Sequence, residues 1–246
     1  MLGALGALIA AIGIIVMIWG GFQKYKAGRL LKAPFHPTGE VASKGEQVAG
    51  PKGAISTEGK VVCPQPLVSP CTGTPCLYYE LKVVGTWKEG DATKSKDYVE
   101  EKKAAAFSLD DGSGPCRVEA GKGGDFDLEK TFDETKKEGF LADLKSAVGK
   151  GEPIVFGTYA FANPPMSKAN KFQCTERILR VPERLYANGR VAEGGISSPS
   201  WTALILSAKS RDELLGSTAR SARSCLLYGG IAAGVGVILG IVGAFL

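Results

Sequence analysis

Both ends of this chain are long apolar segments without a charged residue, and they constrain the fold more than any other feature. Leu2–Phe22 holds 21 such residues and Cys225–Leu246 holds 22, whereas every charged side chain lies between Lys24 and Arg223. As a helix, each run is about 31 Å long, which matches the roughly 30 Å hydrocarbon core of a bilayer. We therefore predict two transmembrane helices, residues 1–22 and 225–246, with the lipid bilayer as a partner.

The N-terminal run has a second interpretation, as a cleaved signal peptide. No Lys or Arg precedes the run and no clean small-x-small site follows it, so a membrane span is favoured. Two spans form a hairpin, and cytoplasmic loops carry an excess of Lys and Arg. We expect residues 23–224 to lie in the cytoplasm, although a long loop can also translocate despite its basic flanks. The flanking basic residues are Lys24, Lys26, Arg29, Lys32, Arg211, Arg220 and Arg223.

Small residues recur at four-residue spacing in both apolar runs. Such residues let helix backbones approach closely in lipid. The two spans are expected to pack on each other or on a second copy, which makes a homo-oligomer one predicted assembly. The alternative is that Gly and Ala are simply common in membrane helices. The pairs are Gly3/Ala7, Gly6/Ala10, Gly230/Gly234 and Gly236/Gly240.

The residues between the spans change from a linker to a strand-rich pattern at Thr57. Residues 23–56 contain three prolines and are interpreted as a juxtamembrane linker, with one short helix near Val41–Val48. Residues 57–207 alternate short runs of β-branched and aromatic residues with turn residues, including a tight-turn pair at Asn188-Gly189. The predicted strands are Lys60–Cys63, Cys76–Trp87, Tyr98–Leu109, Cys116–Glu119, Pro153–Phe161, Gln173–Val181, Leu185–Val191 and Thr202–Ser207.

Helical patterns are few in this middle region. Glu138–Val148 places its apolar residues on one face, and Ser210 is a suitable N-cap for an amphipathic juxtamembrane helix over residues 208–224. The predicted fold class is therefore membrane-anchored α+β, mostly β. Two transmembrane helices flank a small, partly closed β-barrel-like domain of the oligonucleotide-binding topology, with one or two helices.

The sequence offers few residues for catalysis, metal binding or phosphate binding. The one histidine, His36, lies among prolines, and the six cysteines form no C-x-x-C pair of the kind that zinc ribbons use. Gly50-Pro51-Lys52 is only loosely similar to a phosphate loop, because Pro51 removes a backbone N–H donor. The net charge of +5 is weak and scattered. We predict no catalytic set, cofactor, metal site or nucleic-acid partner.

Two short motifs leave a structural and a chemical interpretation open. Cys71 and Cys76 flank a Thr-Gly-Thr-Pro turn, so they form a possible disulfide in an oxidising compartment and ordinary thiols in the cytoplasm. Asp110 and Asp111 precede Gly112 in a turn, where adjacent carboxylates point apart. The turn interpretation is therefore favoured over an acid–base pair.

Four stretches of the chain carry a resemblance to a known family. They are SPCTGTPCLYYE at 69–80, FSLDDG at 107–112, TERIL at 175–179 and LYANG at 185–189. Taken together they resemble the GIDE family, also called the BAM ("beside a membrane") domain family. Its best-known members are the mitochondrial and chloroplast outer-membrane E3 ubiquitin ligases, which share the order of span, domain and span. The resemblance covers residues 57–207, which we assign as the GIDE-like domain.

The resemblance implies structural roles for nine residues. Four of them start and pack a core strand, three form a turn, and Arg177 pairs with a carboxylate or faces a partner. Cys71 belongs to the same motif. The nine are Cys71, Pro75, Cys76, Tyr78, Tyr79, Asp110, Asp111, Gly112 and Arg177.

The sequence departs from those ligases in its zinc ligands. A RING, which recruits the ubiquitin-conjugating E2, holds a pair of zinc ions with four Cys or His ligands each. Six cysteines and one histidine are one ligand short of that set. We therefore expect a domain without the RING, similar to prokaryotic relatives, in a bacterial inner membrane.

These observations predict a membrane-anchored, non-enzymatic interaction or sensing domain with an unidentified protein partner. Two alternatives stay open. One is an enzyme of the E3 ubiquitin ligase type. The other is an envelope or lipid-surface module, in which the basic residues between Lys24 and Lys32 contact anionic headgroups.

Overall fold

Two long helices carry the apolar ends of the chain. The computed structural model describes residues 2–137, 153–162, 169–198 and 203–245. Its helices are α1 (Leu2–Lys32), α2 (Thr38–Lys44) and α3 (Arg211–Phe245). By length and composition, α1 and α3 are each able to cross a membrane. The predicted amphipathic helix over 208–224 and the second span form one continuous helix, α3.

Glycines let α1 and α3 pack closely against each other. A Cβ added at Gly6 would lie within 3.0 Å of the Gly240 backbone, and one added at Gly13 would lie equally close to Ala233. A Cβ at Gly236 would overlap the backbone of Ala10. The expected packing of one span on the other is present within a single chain. A homo-oligomer through these helices stays a prediction.

Five strands close into a small barrel. They pair in the order β1, β5, β6, β13, β12, and β12 pairs back onto β1. Strands β14 and β7 extend the sheet beyond β12. Helix α2 packs on the barrel and contributes Val41 to its apolar core. The bounds are β1 Ala54–Val62, β5 Phe107–Asp110, β6 Cys116–Glu119, β7 Gly124–Phe126, β12 Arg184–Ala192, β13 Gly195–Ser197 and β14 Leu204–Ser207.

A second, longer sheet stands beside the barrel and has a separate core. Its main strands pair in the order β4, β3, β11, β8, and β2 pairs with the first residues of β3. A two-stranded hairpin, β9 and β10, adds Phe156 and Phe161 to the core of this sheet. The bounds are β2 Leu67–Val68, β3 Pro75–Glu89, β4 Ala92–Ala104, β8 Glu129–Lys137, β9 Ile154–Phe156, β10 Tyr159–Phe161 and β11 Lys171–Arg180.

The structure confirms the mostly β class and the small barrel, and it corrects several local predictions. Tyr98–Leu109 is divided between β4 and β5, and Pro153–Phe161 is a hairpin rather than one strand. Asn188-Gly189 is not a turn, because both residues lie inside β12 and pair with β1. The predicted helix Glu138–Val148 lies outside the described residues.

The predicted linker over residues 23–56 is folded. Helix α1 continues to Lys32, and α2 is followed by short 3-10 helices at Gly45–Gln47 and Pro51–Gly53. Near its end, α1 buries Leu30 completely in a cluster with Tyr186, Ile205 and Leu214. The first span thus runs without a break into the β domain and is packed against it.

Polar contacts fix the same junction. Lys26 of α1 forms a 2.8 Å salt bridge with Asp125 of β7. The Arg29 guanidinium donates a 2.9 Å hydrogen bond to the Ala203 carbonyl, just before β14. The β domain is therefore held at a defined position relative to the end of the first apolar helix.

Candidate functional site

Two of the four family-like stretches meet at one buried carboxylate, that of Glu176 on β11. Its side chain is fully buried and accepts three hydrogen bonds. The Cys71 N–H donates to Oε2 at 2.6 Å, and the hydroxyls of Thr72 and Thr131 donate to Oε1, each at 2.8 Å. We call these residues the Glu176 cluster. The cluster ties the loop before β3 to both β11 and β8.

The loop from Ser69 to Thr74 has the local chemistry of a tight turn. Gly73 has a positive φ of 68°, and its N–H donates to the Ser69 carbonyl. From the β9–β10 turn, Thr158 donates its N–H to the Cys71 carbonyl at 3.0 Å and its hydroxyl to the Pro70 carbonyl at 2.6 Å. The loop is thus anchored on two sides by hydrogen bonds.

The cysteines of this region are buried thiols. All six cysteines are free, so the possible Cys71–Cys76 disulfide is not formed in the structure. The Cys71 sulfur lies instead 3.6 Å from the Cys174 sulfur. A hydrogen bond with Cys174, and then burial, raises the pKa of Cys71, while burial and the nearby Glu176 charge raise the pKa of Cys76 to about 11. Both groups stay protonated at neutral pH, where a thiol is a weak nucleophile.

The two motif tyrosines join the two cores. Because alternate residues of a strand face opposite sides, Tyr78 packs in the barrel core and Tyr79 in the core of the second sheet. The Tyr78 ring meets Phe126 edge-on at 4.8 Å between ring centroids. The Tyr79 hydroxyl donates to Glu101 at 2.7 Å. Burial, and to a smaller extent this hydrogen bond, raises the pKa of Tyr79 to about 12. The Tyr78-Tyr79 pair therefore connects the barrel core to the core of the second sheet.

The Asp110-Asp111-Gly112 stretch is a turn, and Asp111 clamps α2 onto it. The Asp111 carboxylate accepts bonds from the backbone N–H and hydroxyl of Thr38 and from those of Ser113. Gly112 has a positive φ of 97°, and its N–H donates to Asp110. Burial acts to raise the pKa of Asp111, but the bonds from Ser113 and Thr38 outweigh it and lower the pKa to about 2.

We expect Asp111→Asn to lower the free energy of unfolding by about 1 kcal/mol at neutral pH, because charged hydrogen bonds are lost at an exposed site. A folded-state pKa below the usual 3.8 means that this stability is present above about pH 4 and lost as the pH falls towards 2. Thermal unfolding of the full chain between pH 2 and pH 7 measures the stability difference between the variant and the unaltered chain. The control is Asp91→Asn at the exposed β3–β4 turn. A loss that is independent of pH would contradict the clamp.

Arg177 is not part of the Glu176 cluster. Its side chain is exposed, and it lies opposite Glu80 of β3 and Lys130 of β8 in the sheet register. Within the described part of the chain it forms no salt bridge. A role for Arg177 in contacting a partner stays a prediction.

Sequence reasoning missed Glu176 and its donors, although a signal was present. Cys174, Glu176 and Ile178 alternate along β11 and share its buried face. A glutamate at an inward position of an otherwise apolar strand face indicates a buried carboxylate that needs hydrogen-bond donors. Thr72 and Thr131 are not identifiable in this way, because they are distant from Glu176 in the chain.

The geometry defines a class of protein, a β-barrel domain docked on a pair of apolar helices that are long enough to span a bilayer. The family model of GIDE, described as E3 ubiquitin ligase, matches residues 80–242, which is more than half of the chain. The chain therefore belongs to the GIDE family. No curated protein and no solved structure shows significant similarity to it.

Among the residues that the structure describes, no group of three or more His, Cys, Asp and Glu side chains is placed to hold a metal ion. The chemistry that the Glu176 cluster supplies is the fixing of a loop by hydrogen bonds to one buried carboxylate.

Proposed function

We propose that this chain is a membrane-anchored, non-enzymatic interaction module of the GIDE type. The observation that carries the proposal is the docking of the β domain on α1, in which Leu30 is fully buried against Tyr186, Ile205 and Leu214. A domain held in this way keeps its surfaces at a constant height above the bilayer, which favours a role in positioning a partner.

The outer edge of the second sheet is the surface that best fits a protein partner. Strand β4 spans Ala92–Ala104, is largely exposed, and pairs with β3 on one side. An edge strand offers backbone N–H and C=O groups that an added strand can pair with. Its charged side chains, among them Asp97 in a 2.7 Å salt bridge with Lys82, oppose non-specific pairing. These features support recognition of an extended segment of another protein.

A photo-crosslinking residue at Ser95 on β4 tests this proposal in native membranes. We expect one discrete adduct from position 95, because the edge contacts a specific partner. The matched control is the same residue at Lys122, which is exposed in the turn between β6 and β7. Identical adduct patterns from both positions would show random collision and contradict a partner site on β4.

The ligase alternative rests on the description of the family. The purified full chain, incubated with E1, a panel of E2 enzymes and ubiquitin, is expected to give no more ubiquitin conjugates than the reaction without the chain. Ubiquitin transfer that depends on this chain would make the non-enzymatic proposal wrong.

A bacterial inner membrane with residues 23–224 in the cytoplasm is the location we propose. The support is the position of the basic residues, which directly adjoin both apolar runs on the side of the β domain. Cys71 and Cys76 are poor reporters of this orientation because both are buried. Ser95 is exposed and is a better site for a reactive thiol.

The lipid-surface alternative is a second candidate, and one observation favours it. Helix α1 carries Lys24, Lys26, Arg29 and Lys32 directly after its apolar run. Basic residues at this level attract anionic headgroups.

A further inference from the structure

A cavity of about 750 Å³ lies where α1 leaves its apolar segment, between that helix and the barrel. Helix α1 lines it with Tyr25, Gly28, Arg29 and Lys32. The opposite wall includes Lys52 of the 3-10 helix and Arg190 of β12. We call it the juxtamembrane cavity. Its volume is within the usual range for sites that bind small molecules.

The lining is strongly basic. Among the residues that the structure describes, the charged ones that line it are Arg29, Lys32, Lys52 and Arg190, and none is a carboxylate. In the described part of the chain, no salt bridge includes Arg29, Lys32 or Arg190. Arg29 is oriented by its hydrogen bond to the Ala203 carbonyl. Arg29, Lys32 and Arg190 thus gather around one space without a salt-bridge partner among the described residues. Such a group of cations favours an anion, and guanidinium groups match the oxygens of a phosphate.

The shape of the cavity depends on small backbone positions. A Cβ added at Gly28 meets no atom within 4 Å, so the missing side chain leaves space on this wall. A Cβ at Gly53, which precedes β1, would press on the Arg190 side chain at 3.1 Å, so this glycine lets Arg190 lie close to the wall. Asn188, which is 2% exposed, also lines the cavity and donates to the Tyr186 hydroxyl at 3.4 Å.

If the hydrocarbon core ends at Phe22, the cavity begins at the height of lipid headgroups. Tyr25 and Gly28 follow Phe22 by about 4.5 and 9 Å along the helix axis, and the headgroup layer adds roughly 5–8 Å beyond the hydrocarbon core. Helix side chains lean towards the N-terminus, which for α1 is the membrane side. We therefore expect the long side chain of Lys32 to extend back towards that layer.

We infer that the juxtamembrane cavity binds a phosphate-bearing anion, and that the bilayer supplies it as the headgroup of an anionic phospholipid. This inference deepens the lipid-surface candidate and rests on the proposed placement of the domain at the bilayer. Arg29, Lys32, Lys52 and Arg190 surround the phosphate, and Tyr25 borders the lipid at the mouth. A free phosphate shares this chemistry, so the test separates the two sources.

Thermal unfolding of the full chain in non-ionic detergent tests the inference, since a ligand that binds the folded state raises the midpoint. The probes are short-chain phosphatidylglycerol, short-chain phosphatidylcholine and inorganic phosphate. We expect phosphatidylglycerol alone to raise the midpoint. The Lys32→Gln/Arg190→Gln variant weakens that binding about tenfold or more, because two charged hydrogen bonds to the phosphate are lost. Gly28→Leu abolishes binding by filling the cavity.

The matched control is Arg220→Gln/Arg223→Gln, which removes two exposed juxtamembrane charges outside the cavity and leaves the binding unchanged. Inorganic phosphate could raise the unfolding midpoint as much as phosphatidylglycerol does, and lose this effect in the cavity variants. That result would support the anion site but would contradict the lipid as its source. If neither anion raises the unfolding midpoint, the whole inference is wrong. It is also wrong if the control variant weakens phosphatidylglycerol binding as much as the Lys32/Arg190 variant does. If Gly28→Leu does not fold, binding by the Lys32→Gln/Arg190→Gln variant tests the inference by itself. The crosslinked adduct expected at Ser95 does not depend on the cavity. Failure of the lipid inference would therefore leave the protein-interaction proposal unaffected.

Discussion

Replacing Glu176 by alanine is expected to lower the free energy of unfolding by about 3–5 kcal/mol, because three hydrogen bonds to a charged group are lost and the buried Cys71 N–H is left without its acceptor. The donors are the Cys71 N–H and the hydroxyls of Thr72 and Thr131. The loop before β3 then loses its tie to β11 and β8. Denaturant unfolding of the full chain in detergent, followed by near-UV circular dichroism, measures the change.

The control for this prediction is Glu129→Ala in the neighbouring strand β8. Glu129 is exposed and pairs with Arg180 at 2.6 Å, so its loss is expected to cost less than about 1 kcal/mol. Glu176→Gln keeps one acceptor oxygen but replaces the other with an amide N–H₂ group. Its loss of unfolding free energy is expected to lie between those of Glu176→Ala and Glu129→Ala. Equal losses in the Glu176→Ala and Glu129→Ala variants would show that the buried carboxylate does not hold the loop.

Gly236→Ala is expected to weaken the packing of α1 on α3 by about 1–3 kcal/mol, because overpacking forces the two backbones apart. The added methyl group would overlap the backbone of Ala10. Energy transfer between dyes at the two termini reports separation of the helices during titration with a denaturing detergent. The variant is expected to separate at a lower detergent fraction than the unaltered chain.

Gly234→Ala is the matched control for the helix pair. It lies two residues away in the same helix, and a Cβ there meets no atom within 4 Å. We expect this variant to separate like the unaltered chain, since its new methyl group points away from α1. Similar weakening in both variants would place the contact face elsewhere on α3.

Features set by local chemistry were predictable from the sequence. The charge-free runs predicted the two long apolar helices, since lateral packing is not needed to recognise an uncharged segment of that length. Alternating residues between turn signals predicted the strands, and Cys116–Glu119 is β6 with the same bounds. The turn at Asp110-Asp111-Gly112 was predictable because glycine there adopts a positive φ.

Features set by distant parts of the chain were not predictable in this way. Cys71 and Glu176 are 105 residues apart, and their contact follows from the pairing of β3 with β11. The Asn188-Gly189 pair has the composition of a turn, but pairing of β12 with its neighbours overrides that preference. The juxtamembrane cavity draws its charges from three separate segments, so each charge alone is an ordinary surface residue.

Thiol labelling with a membrane-impermeant reagent tests most directly whether the two helices cross the bilayer and hold the β domain at its surface. The partly exposed Cys63 and Cys225 are replaced by serine, and single cysteines are placed at Ile15 in α1, Ile238 in α3 and Ser95 in β4. We expect no labelling at positions 15 and 238 in either intact or opened cells, because both side chains face lipid. Position 95 is expected to react only after the cells are opened. Labelling of positions 15 and 238 as fast as position 95 would contradict the membrane hairpin.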